Sequence, residues 1–411
     1  MSNPRVLFVD DETMLLMGLQ RSLRRMRADW DMEFVSTGAE ALEAMDRSPF
    51  DVIVTDMCMP EMNGTQLLEQ VRTHHPQTLR FILSGQCDRG TTLRTVNSAH
   101  QYLAKPCDLE ELRQKLMSAL ALRDLVESTT LKQVILQIKT LPAMPSLYRE
   151  LVTKLESPLC SIKEVGEIIE HAMALTSKIL QMVNSAFFGL GHHVASPAYA
   201  VSLLGTELVK SLVLTLELFS QFHADGFPGG RSDWLLEHSI ATSRMSRKLA
   251  QLGAGGPALI DDCFTAGLLH DLGELILASE LSSEYKTIAA IAESENISTW
   301  DAEFKVLGCS HAELGAYLLG IWGLPVPVVE AVAWHHHPSI SPLSQPCPLV
   351  TVHIADCVST SLAPYGKHDC FEIDQAFLQQ CGLKEREVEL TGACTDLVTE
   401  LRPVTTYHAT T

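Results

Sequence analysis

The stretch Val52-Ile53-Val54-Thr55-Asp56 decides how the first part of this chain folds: a short apolar run that ends on a carboxylate. Matching pieces lie on either side of it. Asp10-Asp11 follow Val6-Leu7-Phe8-Val9, Ser84 follows Phe81-Ile82-Leu83, and Lys105-Pro106 follow Tyr102-Leu103. Short apolar runs closed by polar residues read as buried parallel strands. In an open α/β sheet the crevice beyond the carboxyl ends of the strands collects ligands, so these separate segments point at one site.

Asp10, Asp11 and Asp56 would repel one another there unless a cation held them, and an all-oxygen donor set suits a hard ion such as magnesium. Lys105 and the Ser84 hydroxyl would then face an anion carried on Asp56. A carboxylate that accepts a phosphoryl group needs this arrangement, because metal and lysine neutralise the phosphoryl oxygens in the transition state. The pattern therefore describes an aspartate built to be phosphorylated.

These residues resemble the receiver domain of a two-component response regulator over residues 1–122. The likeness rests on Val9-Asp10-Asp11-Glu12, Asp56-Met57-Cys58-Met59-Pro60-Glu61-Met62-Asn63-Gly64, Leu83-Ser84-Gly85 and Lys105-Pro106. It implies a flavodoxin-like fold with a five-stranded parallel sheet in the order 2-1-3-4-5. It also implies Asp56 as phosphoacceptor and magnesium held by Asp10, Asp11 and Asp56 with the Cys58 carbonyl. Ser84 and Lys105 would bind the phosphoryl group, Tyr102 would be the aromatic switch, and a sensor histidine kinase or phosphotransfer protein would be the donor.

Length and charge fit a signalling protein. At 411 residues the chain has room for two or three cores. A formal charge of −19 opposes binding to a phosphate backbone, so DNA is not an expected partner. Even the basic run Arg21-Ser22-Leu23-Arg24-Arg25-Met26-Arg27 reads as the exposed face of the first receiver helix. Neither an apolar run of membrane-spanning length nor a secretory signal is seen, so the expected location is the cytoplasm, with no membrane partner. The 11 cysteines are odd in number and scattered, which reads as buried thiols of a reducing compartment.

Beyond the receiver the pattern turns helical. Leu109, Leu112, Leu116 and Leu120 keep helical spacing, and apolar residues continue to Ile138, so the last receiver helix is expected to run into a connector over residues 123–140. That connector reads either as a packed amphipathic helix or as a dimerising one. Helices are expected over Leu147 to Leu155, behind a Ser161/Glu164 capping box, over Leu175 to Val183, and from Pro197 to Phe222. The whole reads as a multi-helical bundle.

Histidines then gather in apolar helical sequence: His238, His270-Asp271, His311, the triplet His335-His336-His337, and Asp356. A carboxylate flanked by Leu268, Leu269, Leu272 and Leu275 must be compensated, either by a divalent metal or by a hydrogen-bonded network of the same residues. Imidazoles with carboxylates suit iron, manganese or zinc.

This part resembles the HD superfamily of metal-dependent phosphohydrolases and, more narrowly, its HDOD branch. The likeness covers roughly residues 137–345, with the domain itself expected over 141–345 and 346–411 as its C-terminal helical extension. It rests on Leu141-Pro142-x-x-Pro145, Asn184-Ser185-Ala186-Phe187, Leu203-Leu204-Gly205, Leu268-Leu269-His270-Asp271-Leu272-Gly273, Gly315-x-x-Leu318-Leu319 with Trp322-Gly323-Leu324-Pro325, and Trp334-His335-His336. By position, His238, His270, Asp271 and Asp356 would form a first metal site, and His311 with His335 and His336 a second. Two departures stand out. Ala172-Met173 replaces the usual Asp-Pro, and Ser339-Ile340-Ser341-Pro342 follows His337-Pro338 where cyclic-di-GMP phosphodiesterases of the HD-GYP branch carry Gly-Tyr-Pro. The family is mostly one of signalling and interaction domains. The expected function is therefore a response regulator, phosphorylated on Asp56, whose HDOD output binds a protein partner or dimerises. The alternatives are a phosphorylation-controlled phosphohydrolase or cyclic dinucleotide phosphodiesterase, and a sensor that binds a nucleotide or metal without turnover.

Overall fold

The computed structural model describes residues 3–75, 78–84, 99–105, 144–155, 160–184, 193–222, 231–341, 348–362 and 371–400, with isolated positions between these stretches. Most of the expected connector over 123–140, the helix from Leu109 to Leu120 apart from isolated positions, Gly85, Pro106, Ser185 to Phe187 and the tail from Pro403 lie outside the described residues. The chain packs into two compact units, Met1–Cys160 with Tyr317–Val326, and Ser161–Ala316 with Pro327–Thr411.

The first unit holds a parallel sheet of β1 (Arg5–Val9), β2 (Asp31–Val35), β3 (Val52–Asp56), β4 (Leu79–Ser84) and β5 (Gln101–Ala104), in the order β2-β1-β3-β4-β5. Its described receiver helices are α1 (Thr13–Ser22), α2 (Gly38–Arg47) and α3 (Gly64–His74). Both faces of β3 are covered, which is why Val52-Ile53-Val54 is continuously apolar. Leu7, Val9, Ile53 and Ile82 pack with Leu67, Leu68 and Val71 of α3. Helix α3 starts on a full capping box between Asn63 and Gln66, placing the loop after β3 beside Asp56. The basic run beyond Ser22 departs from the expected helix: Leu23–Ala28 winds as a 3-10 turn, not as a continuation of α1.

The rest is helical, beginning with α4 (Ser146–Leu155), α5 (Ile162–Glu170), α6 (Met173–Val183), α7 (Pro197–Leu204) and α8 (Thr206–Gln221). The Ser161/Glu164 box forms with both arms. The single stretch expected from Pro197 to Phe222 is two helices, because Gly205 at φ 84° takes a conformation that ends a right-handed helix. There follow α9 (Arg231–Leu252), α10 (Pro257–Leu269), α11 (Leu272–Glu280), α12 (Ser282–Glu295), α13 (Thr299–Leu307), α14 (His311–Ile321), α15 (Val326–Trp334), α16 (Pro348–Leu362), α17 (Gln375–Gln380) and α18 (Glu387–Glu400). Helix α9 packs against α10 and α16, and α18 lies on α9 and α16. No helix among the described residues is long and apolar enough to cross a membrane.

Candidate functional site

In the first unit, the carboxyl ends of β1 and β3 bring Asp10 and Asp56 together, both buried, and Lys105 follows β5. The Lys105 ammonium lies 2.7 Å from Asp10 Oδ2 and 2.5 Å from Asp56 Oδ1. The Cys58 amide donates to Asp56 Oδ2 at 3.0 Å, and the Glu12 amide to Asp10 Oδ1 at 2.9 Å. Burial raises the Asp56 pKa, helped by the nearby Asp10 charge and opposed by Lys105 and the Cys58 amide. Burial works against the Lys105 ammonium, but the two carboxylates outweigh it and its pKa is raised. Two buried carboxylates thus share one ammonium, with Asp11 exposed beside them. That surplus of negative oxygen fits a hard divalent cation. Ser84 closes β4, in register with Ala104, and Tyr102 lies within β5.

The second site is assembled from five places in the helical unit. His238 projects from the middle of α9, and Asp356 from the middle of α16. His270 and Asp271 form the corner between α10 and α11, where Asp271 at φ −97° and ψ 14° breaks the helix. His311 is the first residue of α14, and His335-His336 follow the end of α15. The corner and the start of α14 touch so closely that a Cβ on Gly273 would sit 1.9 Å from the His311 carbonyl oxygen. Only glycine allows that approach.

The pairing differs from the expected four-plus-three division. Asp271 bridges the two groups: its Oδ2 faces His270 Nε2 at 3.1 Å and His238 Nε2 at 3.5 Å, while its Oδ1 faces His311 Nε2 at 3.3 Å and His335 Nε2 at 3.5 Å. Ligand atoms of His238, His270 and Asp356 cluster on one side, and those of Asp271, His311, His335 and His336 on the other. Within the first set His238 and His270 Nε2 are 3.1 Å apart, and within the second His336 and His311 Nε2 are likewise 3.1 Å apart.

The outer ring nitrogens say what the inner ones offer. His270 Nδ1 contacts the Gly267 carbonyl at 2.9 Å and His335 Nδ1 the Val332 carbonyl at 2.8 Å. A carbonyl can only accept, so each Nδ1 carries the hydrogen, and in a neutral ring Nε2 presents a lone pair. Burial lowers the His335 pKa, which keeps that ring neutral. Its Nε2 lone pair therefore faces a carboxylate oxygen, and both His335 Nε2 and Asp356 Oδ2 are buried without a hydrogen-bond partner. A lone pair aimed at a carboxylate, with two orphaned polar atoms in the cluster, fits a cation placed there.

The remaining shifts follow from the same crowding. Burial opposes the His270 imidazolium, but Asp271 and Asp356 push its pKa up to about 10. Burial likewise opposes His311, while Glu303 and Asp271 raise it well above the ordinary value. His336 is held well down by burial and by its histidine neighbours. Asp271 and Asp356 stay ionised: burial would raise them, and the imidazoles hold both well below the usual carboxylate range.

A cavity of about 400 Å³ opens over this cluster, reached by His238, Asp271, His311, His336 and Asp356 and walled by Trp234, Trp300 and Phe371. The sequence reading missed several supporting residues. Trp234 stacks on His238 at 4.8 Å between ring centres, and Ser359 Oγ lies 3.1 Å from His238 Nδ1. Arg231 pairs with buried Glu274 through two nitrogens, the shorter contact 2.7 Å. Glu274 stands in Leu272-Gly273-Glu274-Leu275-Ile276, the same apolar setting that singled out Asp271, and could have been found by that signal. His353 is no ligand: its Nδ1 donates to the His335 carbonyl at 2.6 Å and its Nε2 accepts from the Asp374 amide at 2.9 Å.

Comparison with known proteins matches residues 6–117 to the response regulator receiver domain and residues 141–338 to the HDOD domain. The chain joins a receiver domain to an HDOD domain. It is 34% identical over 125 residues to the response regulator protein PilR of Pseudomonas aeruginosa, covering 30% of this chain and 28% of that protein. It is 27% identical over 201 residues to an uncharacterised protein of Treponema pallidum, covering 49% of this chain and 38% of that one. The matches thus span well under half the length of these relatives. An HDOD domain protein of unknown function from Geobacter sulfurreducens shares the fold, with a TM-score of 0.51 and 21% identity over 70% of this chain and 99% of its own. A receiver domain joined to an HDOD domain is the organisation of a response regulator with an HDOD output.

Proposed function

We propose that Asp56 accepts a phosphoryl group from a histidine kinase or phosphotransfer protein, and that the receiver thereby controls an HDOD output that binds a protein partner or dimerises. The observation that carries this reading is the single ammonium of Lys105 shared by the buried carboxylates of Asp10 and Asp56. Magnesium, held by Asp10, Asp11 and Asp56, would supply charge neutralisation for the incoming phosphoryl oxygens. Lys105, between Asp10 and Asp56, would bind and orient the phosphoryl group, and the Cys58 amide fixes the attacking carboxylate. Asp56→Asn should abolish hydroxylamine-labile labelling by a small phosphodonor with magnesium. Full labelling of that variant would refute the assignment.

The HDOD domain is proposed to hold two divalent ions, iron, manganese or zinc, with His238, His270 and Asp356 on one, His311, His335 and His336 on the other, and Asp271 shared. Such ions lower the pKa of bound water and polarise a phosphodiester. A second reading, a metal-dependent phosphohydrolase under receiver control, is favoured by the cavity over the cluster. In either case this chain's own residues fix the imidazoles: carbonyls hold His270 and His335, Ser359 holds His238, and Glu303 holds His311. The Ser339-Ile340-Ser341 segment in place of Gly-Tyr-Pro argues against cyclic-di-GMP as substrate. Turnover of cyclic-di-GMP that disappears in both His270→Ala and Asp271→Asn would establish the enzyme instead.

A further inference from the structure

We propose that Glu303 is a positioning residue for the half of the metal centre formed by Asp271, His311, His335 and His336, clamping His311 by main chain and ring together so that a second ion can be held. The inference rests on the reading that the cluster binds divalent ions, and it concerns a residue outside the ligand set. Glu303 has no exposed surface, although its helix α13 is an ordinary surface-to-core helix with Asp301 and Lys305 on its outer side. A carboxylate in that position must be compensated by something specific. Both of its oxygens turn to one residue: Oε2 accepts from the His311 amide at 2.8 Å, and Oε2 and Oε1 lie 2.8 and 2.9 Å from His311 Nδ1.

Two features make this a clamp. His311 opens α14, where a main-chain amide has no partner within the helix and the local dipole favours a negative charge. Its carbonyl is pressed against Gly273 on the other side. With amide, carbonyl and Nδ1 all fixed, the ring has one orientation, and Nε2 faces Asp271 Oδ1 and His336 Nε2.

The two halves of the cluster are therefore unequal. In the half formed with Asp356, His238 and His270 are backed by a hydroxyl and a carbonyl, both neutral. In the other half His311 is backed by a carboxylate, which makes the imidazole a stronger donor to a cation. Helix α13 also carries Trp300 in the cavity wall, one turn before Glu303, so the clamp and the wall are one rigid element.

The test uses the full chain, stripped with chelator and reloaded with manganese alone, with metal counted by mass spectrometry and ion pairing read by electron paramagnetic resonance. Wild type should fill both halves and show a spin-coupled pair. Glu303→Gln keeps the shape but loses the charge and one acceptor. It should weaken the ion on the His311 half roughly 10- to 100-fold, the usual effect of losing a partner behind a ligand, and leave an isolated ion on the His238 half. Glu303→Asp, which keeps the charge, should restore part of the occupancy and serves if the glutamine variant does not fold. Unchanged manganese affinity and a retained spin-coupled signal in the folded variants would overturn the proposal, as would loss of both ions together. Wild type that binds no manganese, iron or zinc would overturn the metal reading beneath it, an outcome distinct from either.

Discussion

Replacing the shared carboxylate, Asp271→Asn, probes both halves of the HDOD cluster at once. Asp271 is 6% exposed and has four imidazole nitrogens between 3.1 and 3.5 Å from its two oxygens. Asparagine keeps one acceptor oxygen and turns an amide group towards the other pair, so the proposed ions would lose the carboxylate that both would share. In metal-free protein the change removes one member of a buried ionic network, which costs about 3–5 kcal/mol. At roughly 2–4 °C per kcal/mol for a domain of this size, the unfolding midpoint should fall by about 6–20 °C. Adding metal should widen the gap. Ligand at ~1,000 times its Kd stabilises the native state by about 4 kcal/mol, and only wild type can use it. Thermal unfolding of both proteins, stripped and reloaded with manganese or zinc, measures the two gaps. A gap of equal size with and without metal, in protein that is otherwise folded, would show that the cluster is a hydrogen-bonded core and not a metal centre.

Other perturbations follow from the same geometry. Stripped protein should lose stability as pH rises towards 10: the folded pKa of His270, up to about 10, exceeds its unfolded value. Its contribution is complete below the unfolded pKa and is lost as pH climbs through the folded one; a chelated sample whose unfolding midpoint is higher at pH 10 than at pH 6 would contradict this. Gly273→Ala should displace the start of α14 and abolish metal binding, because the new Cβ would meet the His311 carbonyl at 1.9 Å; equilibrium dialysis against zinc checks it. Asn63→Ala should cost about 1 kcal/mol through loss of the α3 capping box, measured by urea unfolding of the receiver signal, while leaving the chemistry of Asp56 intact.

The receiver was legible because its chemistry sits at strand ends, where a buried apolar run stops abruptly on a polar residue. Asp10, Asp56 and Lys105 each carry that local signature, and the parallel sheet forces them together. The HDOD cluster was legible in residue type only. His238, His270, Asp271, His311, His335, His336 and Asp356 stand out against apolar helices, yet the sharing of Asp271 depends on the break between α10 and α11 and on how α14 packs against it. Glu303 left no such mark: in Thr299-Trp300-Asp301-Ala302-Glu303 it reads as one more solvated helical acid, and only the return of the chain after Gly308 buries it beneath His311. The single helix expected from Pro197 failed for a local reason, since Gly205 tolerates a helix interior by size while its observed backbone does not belong to one.

The central claim, that the state of Asp56 governs the HDOD domain, is tested most directly by hydrogen exchange on the full chain with and without phosphodonor and magnesium. The account predicts that phosphorylation changes protection in the helices carrying the cluster, residues 231–362, or changes the oligomeric state measured on the same samples, and that Asp56→Asn abolishes the change. Stoichiometric phosphorylation on Asp56 with identical exchange and identical mass in solution would contradict it.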